Sequence, residues 1–94
     1  MSNDSAVSII AYAEQLEPVF DHAVETGSDD ELFASGYLRG HFDLIVAQCD
    51  LAGEHNPEQF WAQLDAALER SKEELNPQDR AHVQNMLTRL KDAG

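Results

Sequence analysis

A single cysteine, Cys49, is too few for an internal disulfide. A lone thiol fits a reducing cytoplasm, where disulfides are rare. Basic residues are also scarce: six Lys and Arg stand against 18 Asp and Glu, a formal charge of −12. Unassisted nucleic-acid binding needs the opposite balance, because phosphate contacts supply most of its affinity. An anionic membrane surface repels such a chain for the same reason. Long apolar runs are missing, and nothing approaches the roughly 18 apolar residues of a membrane span. Met1 to Ala6 carries Asp4 and no basic residue, so it does not read as a signal peptide. No apolar–polar alternation marks a strand, and no segment is low-complexity. Nucleic acid and membrane are therefore excluded as partners. Basic proteins are the partners the charge favours, although its ordinary effect is only to keep a domain soluble.

What is present is helical punctuation. Ile9, Ala13, Leu16, Phe20 and Ala23 alternate at spacings of four and three, one face of a helix. Pro18 cannot donate to the Glu14 carbonyl, so this first helix is expected to be kinked or, less readily, broken there. Gly27 ends it. Ser28-Asp29-Asp30-Glu31 then forms a capping box, with acids suited to the positive end of the next helix. That helix should run from about Asp29 to Leu51. Its apolar arc, from Phe33 and Leu44 through Tyr37, His41, Ala34, Ile45, Leu38, Cys49 and Phe42 to Val46, spans roughly 220° on a helical wheel. So wide an arc predicts the most buried helix of the set. Gly53 closes it. Asn56-Pro57 and Asn76-Pro77 each open a further helix, the asparagine as cap and the proline at the first position. Phe60, Leu64, Ala67, Leu68 and Leu75, flanked by Trp61, form one core face. Val83, Met86, Leu87 and Leu90 form the other. Short connections force neighbouring helices antiparallel. Residues 1–94 thus read as one domain, an all-α up-and-down four-helix bundle, with residues 1–6 frayed.

The string Ser28-Asp29-Asp30-Glu31-Leu32-Phe33-Ala34-Ser35-Gly36-Tyr37-Leu38-Arg39-Gly40-His41 resembles the hallmark of the bacterial YfcL family. Asp21-His22-Ala23 and Pro77-Gln78-Asp79-Arg80 fit the same pattern more loosely. The resemblance implies a small cytoplasmic protein of gammaproteobacterial type. It implies no activity, cofactor or catalytic residue.

The residues themselves offer little chemistry. Gly36 and Gly40 make a G-x-x-x-G inside the second helix, at a cost of about 1 kcal/mol each relative to alanine. Tight packing inside the bundle is the expected compensation. The alternatives are a partner or homodimer surface on the second helix, or a small-ligand notch. Arg39 is expected to pair with Asp43 one turn on, or else to reach an acidic helix end or an external carboxylate. His41 points into the apolar arc as a hydrogen-bonded core residue. His22, His55 and His82 read as exposed helix-end or loop residues. No H-x-x-x-H occurs, and Asp79-x-x-His82 is the nearest approach to a di-iron pattern, so no metal site is expected. Cys49 lacks an activating charge and lies about 12 Å along the helix from His41, too far for a nucleophile pair. Nucleophile-elbow, P-loop and dinucleotide fingerprints are absent, and no cofactor is implied.

The first functional expectation is a non-enzymatic interaction module that binds a protein through the second helix or an acidic face. The second is a small ligand-binding or enzymatic bundle using the Ser28–His41 segment, with Asp29, Asp30, Glu31, Arg39 and His41 around a polar pocket. A third is an acidic mimic that occupies a basic protein site. Asp29, Asp30, Glu31, Gly36, Arg39, Gly40 and His41 are the candidate site residues.

Overall fold

The computed structural model describes Ser8 to Gly94, apart from the side chain of Thr26. The expected frayed start lies outside the described residues. Four helices follow: α1 (Ile9–Thr26), α2 (Asp29–Ala52), α3 (Pro57–Ser71) and α4 (Pro77–Ala93), with a 3-10 turn at Lys72–Glu74. No strand occurs among the described residues.

Each start is built as the sequence dictates. The Ser28 hydroxyl accepts from the Glu31 amide at 3.3 Å, and the Glu31 carboxylate accepts from the Ser28 amide at 3.0 Å. Asn56 and Asn76 cap α3 and α4 by accepting from Glu58 and Asp79 amides. At α1, Ser8 accepts from the Ala11 amide, and His55 Nδ1 accepts from the Ile9 amide at 3.0 Å. A loop histidine from the α2–α3 connection thus satisfies an orphan donor of α1. The helix runs unbroken through Pro18, which lies on its exposed side. Gly53 adopts φ +71, the left-handed conformation that ends α2, and lets the Glu54 amide donate to the Cys49 carbonyl. Gly27 is needed for closeness instead: a Cβ there would run into the Ala23 carbonyl and the Glu31 side chain.

Fully buried Phe20, Phe42 and Phe60 form an edge-to-face chain across α1, α2 and α3, with centroids 5.3 Å apart at both steps. Leu16, Leu38, Leu64, Leu87 and Leu90 fill the core around them. Trp61 donates to the Tyr12 hydroxyl at 3.0 Å at the edge.

α2 touches all three other helices, while the successive helices α3 and α4 hardly meet. The molecule is accordingly flat, 46 × 28 × 18 Å. Leu75, expected on the α3 core face, follows the 3-10 turn and is only half-buried. The helix has already ended at Ser71, whose hydroxyl bonds back to the Ala67 carbonyl.

Candidate functional site: the outward face of α2

The seven candidate residues do not converge. Asp29, Asp30 and Glu31 occupy the first turn of α2. There Asp30 lies 3.5 Å from His82, and Glu31 lies 3.3 Å from Arg89. The Ser28 amide bond holds the Glu31 carboxyl below the usual range against the opposing effect of burial, and Arg89 adds a smaller lowering. Ser28, Glu31, His82 and Arg89 line a depression of about 250 Å³. Its natural anion site, the helix start, is already taken by Glu31 of the same chain.

Arg39 faces α1 and not the solvent side of α2. It donates to Glu17, and its guanidinium carbon sits 5.4 Å from the Phe20 ring centre. The expected pairing with Asp43 is replaced because Arg39 bends toward the α1 groove, where a ring and a carboxylate both meet it. His41 is half-buried, its ring 4.9 Å from that of Tyr37, at the edge of the core. Cys49 is buried, and burial pushes its thiol up, as suits an inert core residue. Among the described residues no three His, Cys, Asp or Glu side chains gather to hold a metal.

The glycines overturn the packing expectation. A Cβ built on Gly36 or Gly40 meets nothing within 4 Å. Neither glycine makes room for a neighbouring helix of its own bundle. Both lie on the face of α2 opposite Leu38, Phe42, Ile45 and Cys49, which enter the core. That outward face should be polar. Instead it carries Phe33 at 43% exposure, Leu44 at 54% and Leu51 at 88%, with exposed Ala47 among them. The wide apolar arc read from the sequence is therefore two surfaces. Ala34, Leu38, Phe42, Ile45, Val46 and Cys49 serve the core, and Phe33 and Leu44 do not. The signal for the second surface was present in α2, an apolar helix too wide for one core, but width alone does not say which flank is left outside.

A second feature went unread. Five of the six Lys and Arg lie from Arg70 onward, while fourteen of the eighteen acids lie before it. Three of those cations border a groove of about 430 Å³ between α3 and α4, floored by Tyr37, Leu68, Leu75, Val83 and Leu87. Lys91 is held by Asp65 at 3.0 Å, and Lys72 by Glu69 at 2.5 Å. Arg80 Nε donates to the Lys72 and Leu75 carbonyls. Two of the three groove cations are thus paired with carboxylates and the third is tied to backbone carbonyls, and the α1–α2 half keeps most of the negative charge.

The fold and this face define a class: a small acidic helical bundle with an exposed apolar face on its second helix. Within that class, the YfcL protein family model matches residues 10–92, so the chain belongs to the YfcL family. It is also similar to the Uncharacterized protein YfcL of Escherichia coli (strain K12), 36% identical over 84 residues that span 87% of this chain and 91% of the relative. No solved structure matches the chain. Among the described residues no helix is long and apolar enough to cross a membrane.

Proposed function

We propose that the chain is a non-enzymatic interaction module of the cytoplasm and that it presents the outward face of α2 to a helix of a partner protein. The carrying observation is the open space over Gly36 and Gly40, on a face that also exposes Phe33, Leu44 and Leu51. Two helix-interior glycines cost about 2 kcal/mol against alanine, and nothing inside the bundle offsets it. An external contact does, because the missing side chains let another backbone approach. Exposed apolar residues gathered on one face mark interaction surfaces more often than bare solubility requires. An enzymatic reading needs Asp29, Arg39 and His41 around one cavity, and they face three different directions.

The test is crosslinked affinity capture from extract of the native cell, run in parallel with the unmodified chain and with Gly40→Leu. A protein captured by the first and lost with the second, while both melt as folded domains, supports the reading. Capture that is indifferent to Gly40→Leu places the contact elsewhere.

A further inference from the structure

We infer that the occupant of this face is a basic amphipathic helix; the inference rests on the docking reading above and names its partner. Two independent patterns converge on it. The first is spacing. Phe33, Tyr37, Gly40, Leu44, Ala47 and Leu51 follow one another at intervals of four, three, four, three and four. That is the a/d seam of a heptad repeat, the period at which one helix keeps a second in contact along its length. Within the bundle only Tyr37, half-buried against the core and bonded to the Ser71 hydroxyl, has a partner; the other five are exposed. The seam runs roughly 27 Å along α2, which sets the occupant at about five turns of helix. Glycine and alanine alternate along it with Phe33, Leu44 and Leu51. The small positions admit close backbone approach, and the large ones supply the knobs.

The second pattern is charge. Asp29, Gly36, Asp43 and Asp50 recur every seven residues along one flank of the seam, the position that in paired helices faces the partner's flanking side chains. Asp29, Asp43 and Asp50 are all exposed. The nearest cation on α2 is Arg39, already engaged with Glu17. The other flank offers His41 and Gln48, and Tyr37 Oη there lies 3.4 Å from Glu74. A partner helix therefore meets carboxylates on one side and no free cation on α2. Lys or Arg beside its own seam satisfies that flank. A second copy of this chain fits poorly: an antiparallel pair sets the aspartate flanks against each other, and each copy brings a charge of −12.

The experiment uses the full chain and three synthetic peptides of about three heptads. One has Leu at the seam and Lys at the flanks, a second has Glu in place of Lys, and a third scrambles the Lys peptide so that the seam is lost. Binding is read by calorimetry and by amide shift mapping. The Lys peptide should bind at least about tenfold more tightly than the Glu peptide and the scrambled one, with shifts along Phe33 to Leu51. Asp43→Lys with Asp50→Lys should reverse the preference. Leu44→Asp should abolish binding, with circular dichroism confirming that the helices remain. Equal binding of the Lys and Glu peptides overturns the basic partner and leaves the docking face standing. Equal binding of the scrambled peptide means that charge alone acts, and overturns the seam. Binding of neither seam peptide overturns both readings. Sedimentation that shows a dimer lost on Leu44→Asp makes a second copy the occupant, and also overturns the basic partner.

Discussion

Gly40 is the residue at which stability and function pull apart. Its missing side chain leaves open space and not a close contact, so a larger residue has room. Gly40→Leu should therefore stabilise the isolated domain by up to about 1 kcal/mol, through helix propensity. In a domain this small that raises the melting temperature by about 4–8 °C. A thermal melt checks it, and a lower melting temperature would mean that the glycine is packed after all. Ser28 works in the opposite direction. Both bonds of its capping box are formed, so Ser28→Ala should cost about 0.5–2 kcal/mol in urea unfolding. Its partner Glu31 has a depressed native pKa, chiefly from the Ser28 amide and then from Arg89. A depressed carboxylate contributes stability above its unfolded value and loses it as pH falls through the native one. The contribution from Glu31 is thus whole at neutral pH and disappears below the ordinary glutamate range. Carboxyl NMR should show Glu31 titrating below the ordinary glutamate range, and a midpoint within that range would remove the capping box from the acid response.

At the scale of the helix, Pro18 is a continuing cost. α1 passes through it without a break, so the Glu14 carbonyl loses its helical donor while the exposed ring gains no core contact. Pro18→Ala should stabilise the domain by about 1–3 kcal/mol, less than the full proline penalty because the unfolded chain also becomes freer. A midpoint in urea that does not move would mean that the restriction proline places on the unfolded chain offsets the lost hydrogen bond. The starts of α2, α3 and α4 and the ends of α1 and α2 were legible in the sequence, since Ser28, Asn56, Asn76, Gly27 and Gly53 act through backbone groups a few residues away. So was most of the core, because Ile9, Leu16, Phe20, Phe60, Leu64 and Leu90 sit on single apolar stripes. What failed was the allotment of α2. Its apolar positions surround most of the helix, and periodicity cannot tell a helix buried on all sides from one with a core face and a second apolar face. The glycines misled for a related reason. A G-x-x-x-G specifies close approach without saying to what, and only the position of α4 and α3, both on the other side of α2, decides that the approach comes from outside. The weak meeting of α3 and α4 is likewise a tertiary outcome, since their short connection fixes direction but not distance.

For the molecule as a whole, charge is the term most readily moved. Among the described residues Arg39 pairs with Glu17, Lys72 with Glu69, Arg89 with Glu31 and Lys91 with Asp65, all with partly or well exposed side chains. Pairs of this kind contribute about 0–1 kcal/mol each and weaken in salt. Against them stands the mutual repulsion of a chain at −12, concentrated in α1 and α2, where Glu14, Asp21, Glu25, Asp29, Asp43 and Asp50 are exposed. Repulsion of that reach also weakens in salt: the screening length falls from about 30 Å at 0.01 M to about 10 Å at 0.1 M. The molecule is only 28 Å across its middle dimension, so at the lower concentration nearly every carboxylate feels the others, and at the higher one only its neighbours do. Screening the many long-range repulsions should therefore outweigh screening the few short-range attractions. The melting temperature is expected to rise between 0.01 M and 0.1 M sodium chloride and to change little beyond. Sodium chloride is the appropriate salt because sulfate or phosphate would also strengthen apolar burial and confuse the cause. Charge reversal supplies the internal check. Asp43→Lys, on the bare face of α2, should raise the melting temperature at 0.01 M and do so less at 0.1 M. A melting temperature that falls with salt would show that the ion pairs at Glu17, Glu31 and Asp65 dominate the electrostatics of the fold, and that the acidity of α1 and α2 is carried without cost to stability.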